Sequence, residues 1–399
     1  MNPRLRSAVL NLGLSILSLG LALFAAEVTL RFLAGSRRGG KEQLERSRYT
    51  EHDPVLGWRK TPGARVVYDR REYHTEFRVN SRGLRGPERP YAKPAGTARV
   101  LALGDSFVEA FMVDDRRTVT ARVEASLGQR GCRVEVINGG TVGYSTDQEY
   151  LFYRDEGRKY GADVVVVFAY VNDIPYLVLD RYLGYPKPRL DFGTRPPVVS
   201  NEPVPPYVPL PVPPATPPES APRSYLLQFA EDHVERTSAE AYNRLARLGL
   251  WERLRKLPMN DELPLYRVPE LGHLRPAWSA FTWTVETLAE AVGGAGGRLV
   301  IAYVPSRMEV SSRVWAQTRA RYDLDERFER SAVASRVRYI SGRLGVPMLD
   351  LTEPLVRADG VFTPVYYATD SHWNARGQDV AAAALADFLV SSRLVPGCR

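Results

Sequence analysis

From residue 99 onward, short apolar runs alternate with amphipathic stretches. Val100 to Leu103 is one such run, Arg133 to Ile137 a second, and Val164 to Phe168 a third in which every position is apolar. Arg298 to Val304 and Val346 to Leu351 repeat the pattern toward the far end of the chain. A short run that is apolar on both faces predicts a central strand of a parallel sheet. Between the runs the period changes. Val119, Val123 and Leu127 recur at four-residue spacing and Gly128 follows, so 118–127 reads as a helix with a glycine stop. Val380, Ala384 and Phe388 mark one face of a last helix from about Ala375 to Val390. Strand and helix in alternation predict an α/β domain, a parallel sheet wrapped by helices.

Three segments break this rhythm. Residues 186–222 carry the run Val204-Pro205-Pro206-Tyr207-Val208-Pro209-Leu210-Pro211, which favours extended polyproline conformation and lacks the backbone donors a sheet needs. This stretch and the helical pattern from Tyr225 to Leu257 read as an insertion, a surface excursion or lid arm, at about 181–275 between the third and fourth strands. Residues 52–99 are rich in turn pairs such as Asp53-Pro54, Pro62-Gly63 and Gly86-Pro87. Between them, Arg65 to Tyr68 and Thr75 to Val79 alternate like small antiparallel strands. At the start, Ala8 to Ala26 contains no charge and is long enough to cross a bilayer as a helix, which takes about 20 residues. An uncleaved anchor is favoured over a cleaved signal peptide, because no small-x-small site follows. The expected parts are a membrane anchor at 1–36, a tether and small β-rich leader at 37–97, and the α/β domain at 98–399.

Composition changes this picture little. Of 399 residues 44% are hydrophobic and 25% charged, ordinary values for a folded protein. The net charge of +8 is spread along the chain. No basic block is interleaved with aromatics, so nucleic acid is not an expected partner, and a basic surface suits anionic lipid or polysaccharide instead. Arg31, Arg37, Arg38 and Lys41 outnumber Arg4 and Arg6 across the anchor, which counts against export of the large domain. Long domains often translocate regardless of such counts, and the expectation is a single-pass membrane protein with its large domain outside the cytoplasm. The two cysteines, Cys132 and Cys398, have no Cys/His neighbours to build a zinc site, and whether they pair stays open.

The chemistry sits at the carboxyl ends of the predicted strands, where ligands of open parallel sheets bind. Gly104-Asp105-Ser106 follows the first strand and Asn138-Gly139-Gly140-Thr141-Val142-Gly143 the second. Asn172-Asp173 follows the third, and Asp370-Ser371-His372-Trp373 precedes the last helix. Each alone has a plain reading as a turn, a cap or a loop. Their joint order points to acyl transfer through a serine ester. No Gly-x-Ser-x-Gly elbow surrounds Ser106, since Val108 stands at the second glycine position, which argues against the α/β-hydrolase fold. His52, His74, His233 and His273 lack comparable surroundings and read as structural or surface residues.

These four blocks resemble the SGNH, or GDSL-type, hydrolase family. Gly104-Asp105-Ser106, Gly143, Asn172 and the pair Asp370 and His372 match its blocks, over about 100–180 and 298–390. The resemblance implies a flavodoxin-like three-layer α/β/α fold. The family's common spacing is Asp-x-x-His, whereas position 369 is Thr369 and the acid lies two residues before the histidine. Asp-x-His-Trp resembles the subgroup of membrane-linked sugar O-acetylation proteins. A serine hydroxyl is a weak nucleophile and needs a base, which His372 can supply while Asp370 holds its ring. The backbone N–H groups of Ser106 and Gly143 and the Asn172 amide would form the oxyanion hole. Trp373 is a candidate for stacking on a sugar ring and Asp173 for a polar substrate contact. No metal or cofactor is expected.

The expected activity is a serine esterase or deacylase acting on an O-acyl ester, acetyl above all, on a glycan. One alternative is an O-acetyltransferase acting on a cell-surface or exported polysaccharide, with a membrane partner delivering the acyl group. Another is a catalytically silent glycan-binding protein on the same fold.

Overall fold

The structure, a computed structural model, describes residues 3–35, 48–70, 72–208, 224–238, 262–360, 362–368 and 370–398, together with Ala241, Arg244, Leu245 and Leu248. The chain divides into two units. The smaller takes in 1–44, 209–257 and 320–323, and the larger 45–208, 258–319 and 324–399.

In the smaller unit, α1 (Pro3–Gly35) contains a stretch, Asn11–Arg31, of mean hydropathy 1.8 that is long and apolar enough to cross a membrane. Near its end, Glu27 accepts hydrogen bonds from the Ser224 hydroxyl (2.9 Å) and the Leu226 N–H (2.8 Å). These bonds seat the start of the helix Tyr225–Thr237 against α1. The helical pattern expected to continue to Leu257 lies mostly outside the described residues, as do 36–47 of the tether and 209–223 of the proline-rich run.

The larger unit opens with two antiparallel hairpins. β1 (Thr50–Asp53) pairs with β2 (Gly57–Lys60), and β3 (Arg65–Asp69) with β4 (His74–Arg78). The second matches the alternation read from the sequence: Val66, Tyr68 and Phe77 point inward, and Arg65, Val67, Asp69, His74, Glu76 and Arg78 point outward. These side chains share a core with Ala110–Val113, so the leader belongs to the same unit as the sheet.

The sheet consists of β5 (Ala98–Leu103), β6 (Val134–Asn138), β7 (Val164–Tyr170), β8 (Arg298–Val304) and β9 (Met348–Asp350). All are parallel, in the spatial order β6-β5-β7-β8-β9, the flavodoxin-like arrangement. The connecting helices include α2 (Ser106–Glu109), α3 (Val119–Gln129), α4 (Thr146–Asp155), α5 (Asp173–Tyr176), α6 (Arg275–Gly294), α7 (Ala332–Leu344) and α8 (Ala375–Ser391). α3 and α8 cover one face, burying Val119, Val123, Leu127, Leu385 and Leu389 against Val100, Val166 and Val300. α4 and α6 pack together on β7 and β8. Val164 to Val167 are wholly buried, as a run apolar on both faces requires. Cys132 and Cys398 form a disulfide that ties the turn after α3 to the end of the chain.

Two features of the insertion were not read from the sequence. Short hairpins form at Arg181–Tyr182 with Tyr185–Pro186, and at Leu190–Asp191 with Val198–Val199. Val204, at the start of the proline-rich run, is buried rather than part of a surface excursion. Its N–H donates to Pro54 O (2.7 Å) and its carbonyl lies 2.8 Å from His52 Nε2.

Candidate active site

β5 delivers the chain to Asp105, which caps α2 by accepting from the Phe107 N–H (2.9 Å) and places Ser106 at its first position. The far partner arrives on a loop held from several sides. The Tyr367 N–H donates to His372 O (3.0 Å) and the Asn374 N–H to Val365 O (3.1 Å). The Tyr367 hydroxyl donates to Met112 O (2.9 Å). Asn374 caps α8, and Gln378 on its first turn accepts from the Val119 N–H (2.6 Å) while donating to Phe107 O (3.2 Å). The last helix is thereby bonded to the turn that carries the serine.

These contacts bring Ser106 Oγ to 2.6 Å from His372 Nε2, across 266 positions of sequence. His372 Nδ1 is bonded to the Asp370 carboxylate, which also accepts the His372 backbone N–H (3.0 Å) and the Tyr73 hydroxyl (3.3 Å). With Nδ1–H committed to Asp370, Nε2 is left to accept the serine proton. Burial alone would raise the Asp370 pKa. The bonds from the His372 ring and backbone and from Tyr73 outweigh it and hold the carboxyl below its ordinary value. Phe107 and Phe111 flank the imidazole, with ring centroids 5.0 and 5.5 Å away.

The glycine loop after β6 wraps around the serine turn. The Thr141 N–H donates to Gly104 O (2.9 Å), and Asn138 donates to Val108 O (2.7 Å) while accepting from the Gly140 N–H (3.1 Å). A side chain at 140 would collide with Val108 and the Glu109 backbone, so only glycine permits this approach. Gly143 has φ +72°, and a Cβ there would enter the Tyr182 ring. Asn172 turns its amide toward Asp105, 3.4 Å away. Ser106, His372, Asp370, the Gly143 loop and Asn172 thus gather at the carboxyl end of the sheet.

Two sequence expectations are corrected. Trp373 has no exposed surface: its ring packs on Phe107 at 5.0 Å inside the core and offers no face to a sugar. Asp173 is also buried, its carboxylate folded back to accept the Tyr170 N–H (2.9 Å), so it cannot reach a substrate. Burial, with Asp105 nearby, pushes its pKa well above the ordinary value. It lies among buried Asp105, Asp147 and Glu149, where Lys187 pairs with Asp147 at 2.5 Å.

Sequence reasoning missed Tyr73, Trp58, Lys60 and Glu109. The leader hairpins supply the first three. One signal was present: Trp58 and Lys60 stand two apart on a strand and so share its inward face. Glu109 follows Ser106 by less than one helical turn, and its carboxylate accepts the Val142 N–H. A cleft of about 920 Å³ lined by Arg65, Arg89, Glu124 and Asn138 lies along β6 and α3, and neither Ser106 nor His372 lines it.

Residues 273–397 match the model of a family described as SGNH hydrolase-like domain, acetyltransferase AlgX. No curated protein matches the chain. Among solved structures, the chain is similar to a lipase/acylhydrolase from Enterococcus faecalis, at 13% identity and a TM-score of 0.39, covering 76% of this chain and 99% of that one. It is similar to the acetyl xylan esterase AlAXEase at 12% identity and a TM-score of 0.38, over 73% of this chain and 100% of the other. TesA aligns at 10% identity and a TM-score of 0.38, over 73% and 97%.

Proposed function

We propose that this chain is an SGNH-type hydrolase, a serine esterase that removes an O-acyl group, acetyl above all, from a glycan; the match of 273–397 to an SGNH hydrolase-like family supports it. The observation that carries this reading is the 2.6 Å contact of Ser106 Oγ with His372 Nε2, with Asp370 bonded to the other ring nitrogen. Ser106 Oγ attacks the ester carbonyl as His372 takes its proton. Asp370 steadies the imidazolium. The N–H groups of Ser106 and Gly143 and the Asn172 amide receive the oxyanion. Collapse expels the alcohol, protonated by His372, and leaves an acyl-serine. Water, deprotonated by His372, then releases the acid.

A second reading keeps the acyl-serine and passes it to a sugar hydroxyl. The match to a family described as an acetyltransferase favours it. A membrane protein would then supply the acyl group. In both readings α1 anchors the protein and the larger unit lies outside the cytoplasm. The Cys132–Cys398 disulfide supports that side, since such bonds persist in oxidising compartments.

Fluorophosphonate labelling followed by peptide mapping tests the site: the label is expected on the peptide carrying Ser106. An unlabelled wild-type protein would favour a silent glycan-binding role. Product analysis with an acetyl ester, with and without an oligosaccharide, separates the two enzymes. Free acetate as the sole product excludes the transferase, and acetylated sugar excludes a pure hydrolase.

A further inference from the structure

The loop that carries Gly143 has glycine at positions 139, 140 and 143, so little in its own sequence makes it rigid. The leader holds it instead. Lys60 Nζ donates to Gly140 O and to Thr141 Oγ1 (2.7 Å). Trp58 Nε1 donates to Val142 O (3.0 Å), and the Tyr144 hydroxyl donates to Trp58 O (2.6 Å). From the other side the Glu109 carboxylate takes the Val142 N–H. Gly143 therefore lies between neighbours that are fastened on both sides. Lys60 is 2% exposed. An ammonium is costly to bury unless its hydrogen bonds are made, and those shown for Lys60 go to the glycine loop.

We propose that Lys60, with Trp58 beside it on β2, is a positioning residue that holds the Gly140–Gly143 loop so that the Gly143 N–H meets the developing oxyanion. This rests on the acyl-serine reading above. Neither residue lies in the span matched to the family, 273–397. Burial lowers the Lys60 pKa to about 8, with Glu109 opposing and Arg85 reinforcing the shift. These two charged groups face it from α2 and from the strand-like segment beside Asn138. Above that pH the ammonium becomes an amine and its grip on Gly140 O weakens.

The full-length protein is assayed on a small chromogenic acetyl ester. Lys60→Met is expected to lower kcat roughly tenfold to hundredfold with KM within about twofold, as misplacement of a preorganised donor should. Trp58→Phe should show a smaller loss of the same kind. Lys60→Arg should recover most of kcat and lose the alkaline decline near pH 8. Val333→Ala, a cavity in α7 away from the loop, controls for stability: it should lower the melting temperature and leave kcat alone. Folded Lys60→Met or Trp58→Phe proteins with wild-type kcat overturn the proposal, as does a Val333→Ala protein that loses kcat equally. If Lys60→Met does not fold, the Trp58→Phe result decides. Ser106→Ala separates the two levels: full turnover in that variant removes the acyl-serine reading itself, whatever Lys60 does.

Discussion

Asp370 accepts from both the ring and the backbone of His372, so one carboxylate sets the tautomer and the angle of the imidazole. Asp370→Asn keeps the shape and offers an amide in place of that acceptor. It should cost about 10⁴ in kcat with little change in KM, measured on a chromogenic acetyl ester. Loss of the Tyr73 hydroxyl should cost far less, since its bond is long at 3.3 Å and Asp370 keeps its others; Tyr73→Phe is expected to lower kcat by about twofold to fivefold. At this scale the sequence was most legible where chemistry dictates residue type. Periodicity located the strand ends and the last helix beside which Ser106, His372, Asp370, Gly143 and Asn172 lie, and the choice of Gly143 and Asn172 within their segments came from the resemblance to the SGNH family. Trp373 and Asp173 were misread because adjacency to a motif says nothing about which way a side chain points. Trp373 turns into the core under Phe107, and Asp173 turns back on its own strand end.

β8 ends in a buried polar knot that braces the loop bearing His372. Glu309, on the short helix Arg307–Val310, accepts from the hydroxyls of Tyr303 (2.6 Å) and Tyr266 (3.0 Å) and from the Ser306 N–H (2.7 Å). The Tyr366 hydroxyl reaches Pro305 O (2.6 Å) beside it. Burial raises the Glu309 pKa to about 7 against these donors. Between its ordinary value of 4.5 and about 7 the folded state therefore binds more protons than the unfolded one. This group's contribution to stability is full below 4.5 and declines as pH rises through that window. Urea unfolding across pH 4.5 to 7 should show a steeper decline in wild type than in Glu309→Gln, the slope that remains coming from other buried carboxyls such as Asp173. β5, β7 and β8 were readable because a doubly buried strand leaves a nearly unbroken apolar run, whereas the edge strands β6 and β9 are only partly buried and β6 carries Glu135. The leader's two hairpins were readable as strands but not as part of the site. Their bonds to the glycine loop and to Asp370 join residues far apart in the chain, and no local pattern reports such a meeting.

For the chain as a whole, the disulfide closes a loop spanning 266 positions. Cys398→Ser should lower the unfolding free energy by about 2 to 5 kcal/mol, with reductant doing the same to wild type and nothing to the variant. The pairing itself was not legible, because cysteines that distant meet only once the sheet and α8 have formed. Ser106 and His372 are likewise 266 positions apart in the chain. A nascent or partly threaded polypeptide therefore carries a hydroxyl with nothing to deprotonate it. On the acyl-serine reading, reactivity toward esters arises only once the final helix has docked and brought His372 to Ser106.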